Sequence, residues 1–108
     1  MKIYQEMPII PNNIVPIVGM VATICHLYDR YPAEVVRISK SGKTCWIRDM
    51  NYYIVSGSPR EGTAIYSYST DIGATYETRV NKTNKGWARQ GGGLVWLNHQ
   101  ERYHEPMF

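Results

Sequence analysis

Long apolar runs and a secretory signal are both missing from this 108-residue sequence. No stretch approaches the roughly 18–20 consecutive apolar residues that a membrane helix needs, so we expect no membrane partner. The N-terminus does not match a secretory signal, because Pro8, Pro11 and Pro16 interrupt its apolar stretches and the acidic Glu6 lies among them. The expected location is therefore the cytoplasm of the cell that expresses the gene.

Cysteine is scarce, with only Cys25 and Cys45 in the chain. Two cysteines do not suggest a disulfide scaffold, and no C-x-x-C spacing is present to indicate a structural zinc site. Both lie in apolar, strand-like runs, and free cysteine is among the most buried residue types. We predict two reduced thiols in the core, and neither a metal nor another cofactor.

Motifs for catalysis are missing as well. The Gly-Lys-Thr sequence at 42–44 resembles the end of a phosphate-binding loop, but Arg37 stands where that loop needs a glycine, and a strand follows it. Cys25 and His26 are neighbours on one strand, so their side chains point to opposite faces and cannot form a nucleophile–base pair. The carboxylates are scattered rather than paired. We therefore predict a protein that is not an enzyme.

The sequence does contain several short strand-like segments at a spacing of about ten residues. The clearest prediction is a hairpin over residues 33–50, in which two apolar runs flank a turn at 39–43 and Gly42 is free to adopt a positive φ. No long apolar period of 3.6 residues is present. This pattern favours a mainly-β fold, a small SH3-like barrel of about five or six short antiparallel strands.

The two ends of the chain fit this barrel less well. Residues 1–18 are apolar but broken by proline, so we assign them to an N-terminal extension and residues 19–108 to a single barrel domain. Exposed apolar segments usually mark interfaces, so we expect residues 7–18 to contribute to a homo-oligomer contact. Alternatively, the extension lies across the end of the barrel. Near the C-terminus, Asn98 and Glu101 resemble a capping box, which predicts a short helical turn over 99–104.

Aromatic and basic residues alternate in the second half of the chain. Tyr66 and Tyr68 share one face of a strand whose other residues are mostly serine, and Trp87 and Arg89 share one face of a later strand. A base stacked on an aromatic ring gains about 1–3 kcal/mol, and arginine binds phosphate through two hydrogen bonds. We predict a ligand-binding pocket with two further residues at its rim; the full set is Tyr66, Tyr68, Arg79, Lys85, Trp87 and Arg89.

Two related predictions concern the other tryptophans and a run of glycines. Trp46 and Trp96 lie in apolar runs, so we expect them in the core. Three consecutive glycines at 91–93 leave backbone N–H groups that can wrap an anion. A plain hairpin turn is the alternative interpretation of these glycines.

Six segments of the chain stand out, and they are Met-Val-Ala-Thr-Ile-Cys-His at 20–26, Asp-Arg-Tyr-Pro-Ala at 29–33, Ser-Lys-Ser-Gly-Lys-Thr at 39–44, Tyr-Ser-Tyr at 66–68, Lys-Gly-Trp at 85–87 and Glu-Arg-Tyr at 101–103. Over about residues 19–105 they resemble a family of small bacteriophage and prophage proteins. The apolar N-terminal extension departs from the family pattern, as does the low number of charges between Asn51 and Gly62. The resemblance implies an accessory protein of the host bacterial cytoplasm, of a kind that often inhibits or sequesters components of host defence.

Three functions are compatible with these features. The favoured one is sequestration of a nucleotide signalling molecule of host antiviral immunity, of the cyclic ADP-ribose type or a cyclic dinucleotide, in a pocket that often lies between subunits. The alternative is an SH3-like nucleic-acid-binding module or an inhibitor of a nucleic-acid-guided nuclease. A net charge of +3, from 12 basic and 9 acidic residues, is modest for nucleic-acid binding. A structural virion component is the third possibility, and it predicts a large apolar assembly surface.

Overall fold

The computed structural model describes residues 13–26, 29–73, 77–84 and 86–103. The mainly-β prediction is confirmed, although the described residues form seven strands rather than five or six. Among the residues that the structure describes, no helix has the length and apolar character to cross a membrane. The strands are β1 (Val21–His26), β2 (Asp29–Ile38), β3 (Thr44–Ser56), β4 (Ile65–Gly73), β5 (Thr78–Thr83), β6 (Gly86–Arg89) and β7 (Leu94–Leu97).

All of these strands pair antiparallel in a single sheet with the order β2-β1-β7-β6-β5-β3-β4. The sheet closes in a ring because β2 also pairs with β3. β4 continues the sheet beyond β3 and lies outside this ring. Antiparallel neighbours can be joined by short turns, which suits a chain with many Gly-containing loops.

The predicted turn at 39–43 is confirmed in the loop between β2 and β3. The backbone N–H of Ser39 donates to the carbonyl of Thr44 at 2.8 Å, and that of Gly42 donates to Ser39 at 3.0 Å. Gly42 has a φ of 76°, a conformation that residues with a Cβ rarely adopt. The strands extend beyond the predicted 33–50, because β2 begins at Asp29 and β3 continues to Ser56.

Strand β3 is long enough for its two halves to pair with different strands. Residues 45–49 pair with β2, and residues 44–47 pair with β5 on the other side. Residues 50–56 pair with β4 instead, with register shifts at both ends of that pairing. The outer half of β3 and β4 therefore form a hairpin that projects from the ring and carries residues of the candidate site.

The core lies inside the ring and is built from alternate residues of the strands. Ten buried residues form one cluster, and they are Ala22, Ile24, Ala33, Val35, Cys45, Ile47, Val80, Trp87, Val95 and Leu97. Because successive side chains on a strand point to opposite faces, the residues between these lie on the outer side of the ring, where Thr23 and Cys25 of β1 are nevertheless buried. Burial of this apolar surface is the main contribution that stabilises the fold.

The expectation that Trp46 and Trp96 lie in the core is wrong, since both are half-buried on the outer side of the ring. Trp46 stands between two buried residues of β3, and Trp96 stands between two buried residues of β7. Their rings are covered by polar neighbours instead. The Arg37 guanidinium lies 3.8 Å from the Trp46 ring centroid, and the His99 ring stacks on Trp96 at 3.9 Å.

The predicted helical turn over 99–104 is also wrong for residues 99–103, which contain no helix; residue 104 lies outside the described residues. Asn98 has a φ of 63° and donates its backbone N–H to Val21, so it does not cap a helix. Glu101 hydrogen-bonds the His99 ring at 3.0 Å rather than a backbone N–H. Tyr103 pairs with Arg30 of β2 through two backbone hydrogen bonds. Bonds to the sheet thus replace those of a helix.

The described part of the N-terminal extension begins at residue 13. Ile14 packs against the core and Pro16 is buried. The three apolar residues around them are largely exposed, with exposed fractions of 72% for Val15, 63% for Ile17 and 61% for Val18. The segment therefore touches the ring through one face and presents an apolar face outward. Residues 1–12 of the predicted extension lie outside the described residues.

Cys25 and Cys45 are both buried and unpaired, as predicted. Burial raises the pKa of Cys45 to about 11, and burial is also the largest cause that raises the pKa of Cys25. Because the thiolate is the reactive form, we expect both thiols to react very slowly with a maleimide at pH 8 in the folded protein. Both should react rapidly in denaturant. Rapid labelling of the native protein, detected by mass spectrometry, would contradict this prediction.

Candidate functional site

Arg102 lies among three tyrosine rings beside the β3–β4 hairpin. Its guanidinium carbon is 4.7 Å from the ring centroid of Tyr31, 4.9 Å from that of Tyr52 and 5.8 Å from that of Tyr66. A cation within about 6 Å of a ring centroid is attracted by the negative face of the ring. We call these four residues the Arg102 cluster.

The pairing of β3 with β4 explains why these tyrosines meet. Tyr52 on β3 is opposite Tyr68 on β4, and Tyr66 lies two residues away on the same face of β4. The rings of Tyr52 and Tyr66 make an edge-to-face contact with their centroids 5.6 Å apart. The Tyr68 hydroxyl accepts a 2.8 Å hydrogen bond from the backbone N–H of Arg102. Tyr66 and Tyr68 therefore both contact Arg102, in agreement with the predicted alternation.

The Arg102 side chain is held from one side only. Its Nη1 atom donates hydrogen bonds to the carbonyl oxygens of Arg30 at 3.3 Å and Tyr103 at 2.6 Å. Its Nε atom is buried and has no hydrogen-bond partner. Among the described residues no carboxylate lies within ion-pair distance of this guanidinium. Among the described residues the guanidinium therefore makes no direct ion pair, and the carboxylate that adjoins the cluster, Asp29, is hydrogen-bonded to Tyr31.

The hydroxyl groups of Tyr31 and Tyr66 remain protonated at neutral pH, because the pKa of each is raised. Burial is the largest cause that raises the pKa of Tyr31, whose hydroxyl also donates a 3.1 Å hydrogen bond to Asp29. Burial likewise raises the pKa of Tyr66, against a smaller lowering by the charge of Arg102. Neither hydroxyl therefore acts as a general base, and the single donor of Tyr31 is already used by Asp29.

A pocket opens beside the cluster, and it is lined by Pro59, Gly62, Ala64, Tyr66, Arg102 and Tyr103. Its cavity volume is about 30 Å³. Pockets that enclose drug-sized molecules have volumes of roughly 300–1,000 Å³. The pocket within one chain is therefore a small recess, and a nucleotide bound there lies mostly outside it.

The loop between β3 and β4 forms one wall of this pocket. The carbonyl of Ser58 accepts hydrogen bonds from the backbone N–H groups of Glu61 at 3.2 Å and Thr63 at 3.0 Å. The Thr63 hydroxyl accepts a 3.0 Å hydrogen bond from the backbone N–H of Ser58. These bonds fold the loop back on itself and place Pro59 and Ala64 at the pocket.

Trp87 and Arg89 are not brought together with the tyrosines. Trp87 is only 1% exposed and belongs to the core, so its ring has no free face for a ligand, and its predicted role in binding is corrected. The reason is the alternation of side chains along β6, which points Trp87 into the core and the half-buried Ala88 to the other face. Arg89 donates from Nε to the carbonyl of Gly92 at 2.8 Å. In the described residues β4 pairs with β3, whereas β6 pairs with β5 and β7.

Arg79, one of the two predicted rim residues, and the glycine run do not extend the pocket. Arg79 is exposed and contacts Asn81 at 3.4 Å, and it lies opposite Trp46 in the pairing of β5 with β3. Lys85 lies outside the described residues. The glycines at 91–93 form the hairpin turn between β6 and β7, in which Arg89 and Gly93 are joined by a 2.9 Å backbone hydrogen bond. The plain turn, which was the alternative interpretation, is thus the observed structure.

The sequence analysis missed Arg102, Tyr31 and Tyr52 as site residues. Their contacts join segments far apart in the chain, because the Arg102 side chain bonds to Arg30, 72 positions away. The available signal was the adjacent pair Tyr52 and Tyr53 in a region of few charges. Alternation of a strand through 52–54 places one of these rings on the same face as Tyr66.

Comparisons with protein-family models, with curated proteins and with solved structures find no match to this chain. Among the residues that the structure describes, no three His, Cys, Asp or Glu side chains are grouped so that they can hold a metal ion. The functional interpretation therefore depends on the geometry of the Arg102 cluster and its pocket.

Proposed function

We propose that this chain is a non-enzymatic protein that binds and sequesters a nucleotide at the Arg102 cluster and the adjacent pocket. The observation that carries the proposal is the guanidinium of Arg102, placed among three tyrosine rings at an open pocket. Tyrosine rings stack on bases, and an arginine without a direct ion pair attracts phosphate. A binding role also suits hydroxyl groups that stay protonated.

The finer parts of the proposal come from the resemblance to phage proteins. On that basis the ring of strands is an SH3-like barrel, the gene is of phage origin, and the ligand is a signalling nucleotide of host immunity. Because the pocket of one chain is smaller than such a ligand, we propose that a second copy of the chain completes the site. The exposed apolar residues Val15, Ile17 and Val18 support this part of the proposal.

Nucleic acid is the second candidate ligand, and one outer face of the ring favours it. There the Arg37 guanidinium stacks on Trp46, and Arg79 lies on the neighbouring strand. However, Glu77 pairs with Arg37 at 3.0 Å and neutralises part of this charge. The nucleotide remains the favoured ligand because the charge of Arg102 has no such partner among the described residues.

Replacing Tyr66 with alanine is expected to weaken nucleotide binding by roughly tenfold to a hundredfold, the effect of losing one stacking ring. A thermal-shift screen of mononucleotides, cyclic nucleotides and short single-stranded DNA first identifies the ligand. A ligand at 100 times its Kd stabilises the folded state by about 2.7 kcal/mol, which such a screen detects. Titration calorimetry then gives the affinities of the variants.

Tyr53→Ala is the matched control for Tyr66→Ala. Tyr53 is a tyrosine of the same hairpin, but it points to the opposite face and is 59% exposed. We expect this variant to bind the nucleotide as the unmodified protein does. Equal losses in both variants, or a screen in which no nucleotide raises the melting temperature, would overturn the proposed function.

The N-terminal segment is expected to mediate self-association. Substituting Val15, Ile17 and Val18 together with serine should convert an oligomer into a monomer, because their apolar surface is exposed in the single chain. Ile14 is left in place, since it packs against the core. Light scattering coupled to size-exclusion chromatography measures the mass of both proteins. A monomeric mass for the unmodified chain would refute this prediction.

A further inference from the structure

The two ends of the ring of strands carry different side chains. At one end, Met20 before β1 and Ile38 at the end of β2 are apolar and pack against the core. At the other end, the last inward positions carry His26 of β1, Asp49 of β3 and Arg89 of β6. We call these three residues the polar mouth. The open ends of closed sheets are among the places where proteins bind small ligands.

The strand register explains why Arg89 and Asp49 face the inside of the ring. Arg89 is directly opposite the core residue Val80, and Asp49 is directly opposite the core residue Ala33. Residues that are directly opposite each other on antiparallel strands lie on the same face of the sheet. Both side chains therefore start from the inner side of the ring, at the end where the core stops.

An open space at Gly93 lies between two nitrogen-bearing side chains of the polar mouth. A Cβ placed on Gly93 would lie 3.7 Å from Nη2 of Arg89, 3.8 Å from Nδ1 of His26 and 3.1 Å from the carbonyl oxygen of Cys25. The two nitrogens are therefore at most about 7.5 Å apart, a gap that two oxygens of one phosphate or carboxylate group span when each accepts a hydrogen bond of about 2.9 Å. Because the Cys25 carbonyl repels an anion, such a group must lie on the side of the two nitrogens.

Both nitrogens are available to a ligand. Within the described part of the chain, Arg89 donates only from Nε, to the carbonyl of Gly92 at 2.8 Å, and the imidazole of His26 has no hydrogen-bond partner. His26 is exposed and Arg89 is half-buried. Burial raises the pKa of Asp49, and the charge of Arg89 lowers it by a smaller amount, but no ion pair joins the two side chains. The guanidinium therefore keeps N–H donors and charge for an anion.

We propose that the polar mouth is an oxyanion-binding site, in which Nη2 of Arg89 and Nδ1 of His26 bind two oxygens of one phosphate or carboxylate group beside Gly93. The inference keeps the phosphate-binding role that the sequence predicts for Arg89 and gives it a different partner. It does not depend on the proposed function, because β1 separates Gly93 from Tyr31 of the Arg102 cluster by two strand spacings, roughly 10 Å.

The first test locates anion binding on the unmodified protein. Inorganic phosphate and acetate are titrated into ¹⁵N-labelled protein at constant pH and ionic strength, with sodium chloride as the reference, and NMR spectra are recorded. We expect saturable shifts of the Gly93 amide and of the His26 signals. Phosphate should bind more tightly than acetate, because it carries more negative charge at neutral pH.

The second test fills the open space. Gly93→Ala places a methyl group between the two nitrogens, so phosphate affinity should fall at least about tenfold, the effect of losing hydrogen bonds to a charged group. Gly91→Ala is the matched control, because Gly91 has a φ of 93° against 95° for Gly93, and a Cβ at Gly91 would meet no atom within 4 Å. Both variants carry the same backbone strain, and the control should bind phosphate normally.

The third test changes the charges at the polar mouth. Arg89→Gln removes the guanidinium and should weaken phosphate binding about tenfold, whereas Arg79→Gln removes an exposed guanidinium that contacts Asn81 and should change it less than twofold. Asp49→Asn should strengthen phosphate binding about two- to fivefold, because it removes a negative charge that acts on Arg89. A merely structural role of Asp49 would not produce this gain, and the test holds even if Gly93→Ala does not fold.

The outcomes separate this inference from the proposed function. No saturable shift with either anion, equal phosphate affinity in Gly93→Ala and Gly91→Ala, or no effect of Arg89→Gln would overturn the site at the polar mouth. Shifts confined to Tyr66 and Arg102 would also overturn it, and would leave the proposed function in place. Saturable phosphate binding at Gly93 in a protein that binds no nucleotide would support this site and overturn the proposed function.

Discussion

Truncation of Trp87 to alanine is expected to lower the free energy of unfolding by about 3–5 kcal/mol, the usual cost of deleting a large buried ring. Trp87 is 1% exposed and belongs to the central cluster of the ring. For a domain of this size the loss corresponds to a fall in melting temperature of roughly 12 °C or more. Urea denaturation followed by circular dichroism measures the change.

Trp46→Ala is the matched control, because Trp46 is half-buried on the outer side of β3. Its removal deletes a stacking contact with Arg37 and should cost about 1 kcal/mol.

Trp87→Phe adds a milder change at the core position. It keeps an aromatic ring and removes the Nε1 donor, which is buried without a partner, so it should cost less than Trp87→Ala. If Trp87→Ala has unchanged stability and no longer binds a nucleotide, then Trp87 is a residue of the binding site and the core assignment is wrong.

The tryptophans show which part of the fold can be predicted from sequence and which part cannot. Strand-forming segments and the turn at 39–43 are local properties, so composition and Gly42 were sufficient to locate them. Which face of a strand points to the core is not set by the local sequence when both of its faces are apolar. In the run Leu94–Leu97, either alternate pair is apolar enough to face the core. The packing of the ring selects Val95 and Leu97, and leaves Trp96 outside.

The candidate site was only half predictable for a related reason. Tyr66 and Tyr68 share a face because of alternation along one strand, which is a local rule. Arg102 joins them through a backbone hydrogen bond to a residue 34 positions away. That contact exists because residues 99–103 form no helical turn, unlike the prediction from the capping box, and Tyr103 pairs with Arg30 of the sheet instead. Nothing in the local sequence distinguishes a helix cap formed by Asn98 and Glu101 from the non-helical conformation that these residues adopt.

Substitution of Gly57 by alanine is expected to disrupt the loop that forms one wall of the pocket. Gly57 has a φ of 78°, and a Cβ at this position would collide with the backbone of Thr63 and Ala64. Backbone atoms cannot move aside as a flexible side chain can, so residues 58–64 must shift. Because Pro59, Gly62 and Ala64 line the pocket, we expect nucleotide affinity to fall at least about tenfold, with the tyrosines and Arg102 unchanged in sequence.

Gly42→Ala is the control variant that separates the effect of the collision from the effect of the backbone strain. Gly42 has almost the same φ, 76°, but a Cβ there would meet no atom within 4 Å. Both variants therefore carry the cost of about 1–2 kcal/mol for an alanine in the left-handed region, and Gly57→Ala alone carries the collision. We expect both to lose stability in urea denaturation, Gly57→Ala more than Gly42→Ala, and Gly42→Ala to bind the nucleotide normally in calorimetry. Equal affinity in the two variants would mean that the loop wall does not contribute to the site, and the ligand would then have to contact the tyrosines and Arg102 without entering the pocket.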